Sequence, residues 1–371
     1  MKIAIIRGAY LNQYEMQNYQ SLVSRKHVLT AFSSLKPIHQ NYNFPLIKLK
    51  SPTDLPDFPY KMPILNRLCF GDAMYLFGLE KQLSGFDIAH VAETYFHFTQ
   101  QALNAKKAGY VKKVVSSCSE TIAFNNQGIW PRKQFKQKAI KEVDVFHCWT
   151  NKAKECLLKE GCDPKKIKVL YYGVDLKKFK PIKRFRQSKI VKLLFVGRLV
   201  KEKGIYDLVK VFVKLIKNYH KIILTIIGDG REKDPLINLV NRVGLNKFVS
   251  FKQVNYKAMP LEYQKSDIFI LLSKPTKYWE EYFGMVLVEA MACGLPIVSC
   301  LAGAIPEVVN NAGFLVNPGD WQQAYTYTKK LILDSSLRRK IGKRGRRRVE
   351  LNFNSEKFAQ NIEKLYLNCL L

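Results

Sequence analysis

The sequence predicts an α/β protein made of two Rossmann-like domains, each built on a parallel sheet. Three observations carry this. The chain has 371 residues, more than one compact core comfortably holds. Twelve short apolar runs alternate with amphipathic segments, the pattern of βαβ units. A basic stretch with a proline and no apolar periodicity, "FKPIKRFRQSKI" (179–190), parts the runs six and six and reads as a linker.

In the first half the runs are "KIAIIR" (2–7), "HVLTAF" (27–32), "DIAHVA" (87–92), "KVVSSC" (113–118), "DVFHC" (144–148) and "KVLYY" (168–172). In the second they are "KLLFVG" (192–197), "IILTIIG" (222–228), "FVSF" (248–251), "DIFILL" (267–272), "PIVSC" (296–300) and "GFLV" (313–316). The expected domains are 1–180 and 181–350. The remainder, 351–371, is a helix by the spacing of Phe358, Ile362, Leu365, Tyr366 and Cys369, expected to pack back toward the first domain.

The longest apolar stretch, "EYFGMVLVEAMACGLPIVSC" (281–300), is not a membrane span. Glu289 falls inside it, and Gly294 with Pro296 stops a helix. It divides into a buried helix and a buried strand. A carboxylate inside such a helix needs a partner, because desolvating it alone costs several kcal/mol. That partner is either a core cation or a ligand.

Composition is that of a globular protein, with 47% hydrophobic and 25% charged residues, which excludes a disordered chain. The charge is not balanced. Sixty-one Lys and Arg face 30 Asp and Glu, a formal net +31, so polyanions are the expected partners. Eight scattered cysteines without a CxxC pair predict reduced thiols and a cytoplasmic protein. No metal-ligand spacing and no nucleic-acid-reading motif is present, so neither a metal nor specific nucleic acid is expected. The opening "MKIAIIRGAY" has too short an apolar core for a signal peptide, so any membrane anchoring is expected to be peripheral.

Ligands of open α/β sheets bind beyond the carboxyl ends of the strands. In the second half, "FVGRLVKEKG" (195–204) supplies a turn at Gly197, then Arg198, then Lys203 beside a helix start. Two cations at a helix N-terminus suit a diphosphate, or form a solvated basic loop. "IIGDGRE" (226–232) is a second strand-to-glycine turn, with Gly228 and Asp229 as candidates. In the third, Glu281 precedes a helix that starts near Gly284, and Glu289 lies about 12 Å further along at helical rise. Each carboxylate is able to grip a diol.

GRLxxxKG, followed by E-x7-E with FG after the first Glu, resembles the retaining glycosyltransferases of family 4. "YYGVDLKKFKP" (171–181), "SDIFILLS" (266–273), "AGAIPEVVNNAGFLVNPGD" (302–320) and "FDIAHVAE" (86–93) are similar to further segments of that family. The resemblance implies the GT-B fold, with two Rossmann-like domains whose parallel sheets face across a cleft. It implies hexosyl transfer with retention from a nucleotide-diphospho-sugar, UDP- or GDP-linked, with no metal or other cofactor. Arg198 and Lys203 would bind the donor diphosphate and stabilise its departure. Glu281 would hold sugar hydroxyls, flanked by Tyr282, Phe283, Gly284 and Met285. Glu289 would bind the ribose.

The first half departs from the family pattern. The loop after the first strand, "RGAYLNQYEMQNYQ" (7–20), has one glycine, Gly8, where many relatives have two. Arg7, Asn12, Glu15 and Gln17 either serve that site or cap a helix. Where many relatives carry a histidine, this chain has Ser117, Cys118, Ser119 and Glu120. His90 and Glu93 are the neighbouring candidates, His90 as a catalytic group or as a core residue.

Excess charge gathers in "NAKKAGYVKK" (104–113), "WPRKQFKQKAIK" (130–141) and "LRRKIGKRGRRRVE" (337–350). These predict peripheral docking on the anionic cytosolic membrane face and a lipid, lipid-linked or glycan acceptor. Three alternatives remain: an epimerase of sugar nucleotides, a disaccharide synthase, and a non-catalytic protein on the same fold.

Overall fold

The computed structural model describes residues 1–182 and 190–371. The polypeptide forms two compact units: residues 1–172 with 355–371, and residues 173–354.

The first unit is a seven-stranded parallel sheet of β1 (Lys2–Ile6), β2 (Val28–Ser33), β3 (Leu46–Lys48), β4 (Phe86–Ala92), β5 (Val111–Cys118), β6 (Val145–Cys148) and β7 (Ile167–Val169), in the order β3-β2-β1-β4-β5-β6-β7. The second is a six-stranded parallel sheet of β8 (Val191–Val196), β9 (Ile222–Ile227), β10 (Val249–Lys252), β11 (Ile268–Leu271), β12 (Ile297–Cys300) and β13 (Gly313–Val316), in the order β10-β9-β8-β11-β12-β13.

All twelve apolar runs are strands. Central strands are apolar throughout because helices cover both faces of a parallel sheet; Ile3, Ala4, Ile5 and Ile6 of β1 are all buried. The thirteenth strand, β3, has no signature in the sequence. It is three residues long on a sheet edge and only partly buried, so burial imposes no apolar pattern on it.

Strand order reverses between β1 and β4 in the first unit and between β8 and β11 in the second. Such switch points open a crevice at the carboxyl ends of the strands. There lie Arg7, Gly8 and Glu93 in one unit, and Gly197, Arg198 and Ser273 in the other.

The change of unit falls at Tyr172–Gly173, eight residues before the expected boundary. Val174 and Phe179 are buried, and the Val174 N–H donates to Phe353 O at 3.0 Å. The expected linker, 179–190, lies for residues 183–189 outside the described residues. The C-terminal helix (Ser355–Leu370) belongs to the first unit. Its Tyr366 hydroxyl meets His90 Nδ1 at 2.5 Å, and its Glu363 pairs with Arg25 and His27.

The helix expected around Glu289 runs Met285–Ala292. Gly294 ends it, donating to Met291 O while Leu295 N–H reaches Ala290 O, and β12 follows. Among the described residues no helix is long and apolar enough to cross a membrane.

Candidate functional site

The second unit brings three loops together at its switch point. After β8, Gly197, Arg198 and Lys203 lead into the helix Ile205–Ile216. Gly204 makes the entry with φ +67°, and a Cβ there would stand 1.7 Å from Leu272 O, so the loop can touch the end of β11 only with glycine. After β9, Gly228 packs as tightly, a Cβ at its position falling 1.9 Å from Gly197 O. The Leu199 N–H donates to Asp229 O at 2.8 Å, locking the two loops in register.

Lys203 is the centre of the site. Its Nζ stands 2.6 Å from Glu281 Oε2, with both side chains nearly buried. Ser273 Oγ donates to the same oxygen at 3.0 Å. The Lys203 ammonium also lies 4.9 Å from the centroid of the Trp279 ring. The Glu281 main-chain oxygen accepts Ala304 N–H at 2.8 Å, tying this loop to the one after β12. Arg198 is different. Its guanidinium is exposed and has no ion pair or side-chain hydrogen bond among the described residues. A fixed, paired lysine and a free arginine thus sit beyond the same strand ends, a pairing suited to an anionic ligand.

Gly284 precedes the helix Met285–Ala292 with φ +80°, and Phe283 is buried beside it. Asp229 stays largely exposed, accepting from Gly230 N–H at 2.9 Å and from Gln253.

Glu289 is buried, and its partners in the structure are two phenols rather than a cation. Tyr256 donates to Oε1 at 2.9 Å and Tyr263 to Oε2 at 2.6 Å. Burial pushes its carboxyl up to about 7, against the pull of both hydroxyls. Sequence reading missed Tyr256, Tyr263, Ser273 and Trp279. Only Ser273, at the end of an apolar run, carried a signal.

In the first unit the expected acceptor-side residues separate into two groups. His90 is a core residue, which corrects its candidacy as a catalytic group. It is fully buried, its Nε2 faces Ser117 Oγ at 2.7 Å and its Nδ1 faces Tyr366. Burial, with the nearby Arg7 charge, holds it neutral, well below the usual imidazole range. Arg7 is buried too, donating to Glu15 at 2.7 Å and to His90 O at 2.8 Å. Glu15 also accepts from Tyr172 at 2.7 Å. Arg7 and Glu15 therefore hold the sheet end together. Asn12 caps the helix Gln13–Met16 by accepting Glu15 N–H at 2.8 Å, and Gly8 is buried against Met74 and Phe98.

The second group stays together beyond β4 and β5. Glu93 Oε1 accepts both the Ser119 N–H at 2.9 Å and its hydroxyl at 2.6 Å. Glu93 holds φ +55°, a backbone cost for a residue with a side chain. Burial, and then the Glu120 charge, raise its carboxyl strongly. Glu120 pairs with Lys136 at 2.7 Å, and Lys136 with Glu160 at 2.6 Å. Among the described residues no group of three or more His, Cys, Asp or Glu could hold a metal ion.

The model named "Glycosyl transferases group 1" matches residues 177–348, and that named "Glycosyltransferase Family 4" matches residues 20–178. The chain belongs to glycosyltransferase family 4. Among curated relatives, this family 4 chain is 31% identical to the N-acetyl-alpha-D-glucosaminyl L-malate synthase of Bacillus anthracis, over 54% of this chain and 51% of the relative. It is 32% identical to the capsular polysaccharide biosynthesis glycosyltransferase CapM of Staphylococcus aureus, over 54% of this chain and 55% of the relative. The chain thus spans about half the length of the curated relatives it matches. Sucrose-phosphate synthase from Thermosynechococcus elongatus has the same fold, with TM-score 0.79, 19% identity and coverage of 99% of this chain and 98% of that one. Anabaena HepE does as well, with TM-score 0.77, 17% identity and 99% coverage of both. The fold is GT-B, as its two Rossmann-like parallel sheets indicate.

Proposed function

We propose that this chain is a retaining hexosyltransferase that moves a sugar from a UDP- or GDP-linked donor to an acceptor hydroxyl. The carrying observation is the pairing at the second unit's switch point: Lys203 fixed by Glu281 at 2.6 Å, with Arg198 exposed beside it. The family and the relatives named as synthases and glycosyltransferases support the same reading.

Each group then has a task. Arg198 binds the donor diphosphate and Lys203 neutralises the charge that grows on it as the anomeric bond breaks. A lysine can leave Glu281 for a phosphate without crossing a gap, since its three donors serve several acceptors at once. The Glu281 carboxylate, held by Ser273, takes sugar hydroxyls. The protonation state of Glu289 matters for a ribose. A carboxyl near 7 that already accepts two phenols keeps lone pairs for hydroxyl donors. On the acceptor side Glu93 is the candidate, since a carboxyl raised by burial can both take and return a proton. No metal is assigned to the chemistry, the two cations doing its electrostatic work. The acceptor is a lipid or lipid-linked glycan at the cytosolic membrane face, in keeping with the net charge of +31.

A thermal-shift panel of UDP- and GDP-sugars tests this. A true donor at a hundredfold excess over its Kd stabilises by about 2.7 kcal/mol, and Arg198→Ala should shrink the selective shift to half or less. No shift with any nucleotide-sugar would sink the reading.

A further inference from the structure

We propose that residues 55–70, with Trp130 beside them, form a docking surface for an anionic lipid bilayer. Several cations of the basic clusters that the sequence singles out are engaged within the fold. Lys106 pairs with Asp144, Lys112 with Asp87, and Lys136 lies buried between Glu120 and Glu160. In the helix Ser335–Asn352, Arg338, Arg344, Arg346 and Arg348 all donate to main-chain carbonyls. These four help hold the second unit together, while Arg339, Lys340, Lys343 and Arg347 of the same helix are exposed.

The exposed apolar surface lies elsewhere, on the excursion between β3 and β4. The helix Lys61–Leu68 buries only Leu65 and Asn66. Ile64 and Leu68, one turn apart, face water, Leu68 at 70% exposure. Tyr60 at its start is 80% exposed and Phe70 just past its end is 64% exposed. Trp130, 69% exposed, meets Phe70 edge-on with ring centroids 6.4 Å apart. Tyr60 and Phe70 both hold left-handed backbone, φ +58° and +49°. That conformation is costly for aromatic residues, yet both rings stay largely exposed.

Charge selects the occupant. Arg67 on the same helix and Lys133, three residues past Trp130, are exposed with no ion pair among the described residues, and Asp57 is already paired with Lys61 at 3.1 Å. Aromatic rings rimmed by cations fit the interface of an anionic membrane, where rings sit at headgroup level. A second copy carrying the same +31 is a poor match by repulsion. The role of the surface rests on the membrane-side acceptor reading above, but its evidence does not.

The test is co-sedimentation of the full chain with phosphatidylglycerol/phosphatidylcholine vesicles and with phosphatidylcholine alone, at physiological ionic strength. Wild type should sediment with the anionic vesicles only. The double variant Leu68→Ser/Trp130→Ala should bind at least about tenfold more weakly, with unchanged melting temperature and unchanged nucleotide-sugar shift. Arg67→Glu/Lys133→Glu should weaken it likewise. Equal sedimentation of the apolar variant would overturn the proposal, as would failure of wild type to sediment. A dimer in sedimentation velocity that the apolar variant abolishes would make the surface a protein contact instead. Vesicle binding without any nucleotide-sugar shift would support docking while removing the transferase reading.

Discussion

Lys203 and Glu281 meet at 2.6 Å across 78 residues of sequence, and Ser273 donates to the same carboxylate oxygen. The pair stands at the strand-order reversal of the second sheet, with the Trp279 ring under the ammonium. It is at once a structural contact and the site's main charge arrangement.

Breaking it should show both roles. Lys203→Met leaves a nearly buried carboxylate without its cation, which costs about 3 kcal/mol. Urea unfolding should show that loss, and transfer should fall with it. A variant of undiminished stability would mean that the pair is dispensable to the fold.

Arg198→Ala should separate function from stability. The side chain is exposed and unpaired among the described residues, so the unfolding midpoint should stay within about 0.5 kcal/mol of wild type. Affinity for the nucleotide-sugar, measured by calorimetry, should drop by about 1.5–3 kcal/mol, the value of a charged hydrogen bond.

Gly204→Ala should not fold. The new methyl would sit 1.7 Å from Leu272 O in a backbone of φ +67°. Either penalty alone exceeds about 1 kcal/mol, and the clash involves main chain that has no room to move. Soluble expression with a native circular dichroism spectrum would contradict this.

Glu289 should make stability depend on pH. Its carboxyl is raised from 4.5 to about 7, so the folded state holds a proton that the unfolded state gives up in between. The stabilising contribution is complete below about 4.5 and is lost as pH climbs through about 7. Glu289→Gln, which cannot ionise, should therefore match wild type at the low end. It should gain on wild type by up to about 3 kcal/mol above the upper value, in melting curves taken across that range.

Tyr366→Phe removes a hydroxyl from the fully buried Nδ1 of His90. The expected loss is about 1–3 kcal/mol of stability, with donor binding unchanged. Altered nucleotide-sugar affinity would return His90 to the functional candidates.

Legibility in the sequence followed the strength of local constraint. Twelve strands announced themselves because strands buried on both faces must be apolar along their length. The edge strand β3 is only half covered and stayed silent. The glycines and cations after β8 were legible because a strand-to-helix turn leaves a fixed spacing. His90 misled because a histidine at a strand end looks the same whether it meets solvent or Ser117 and Tyr366. The basic clusters were legible only as composition, for a related reason. A sequence shows cations but not the main-chain carbonyls and distant carboxylates that engage them.

By itself, then, the sequence determined the two parallel α/β sheets, the family, and the loops in which Arg198, Lys203, Glu281 and Glu289 lie. The sheets and loops follow from periodicity and spacing and the family from motif resemblance, all of them local features. Only the tertiary structure decided which charges are free. It paired Lys203 with Glu281, gave Glu289 two tyrosines, locked Arg7 with Glu15 and engaged four arginines of the helix Ser335–Asn352 with carbonyls. It left Arg198 and the Tyr60–Trp130 surface open to solvent. Partnership between residues far apart in the chain depends on how elements pack, and no local pattern encodes it.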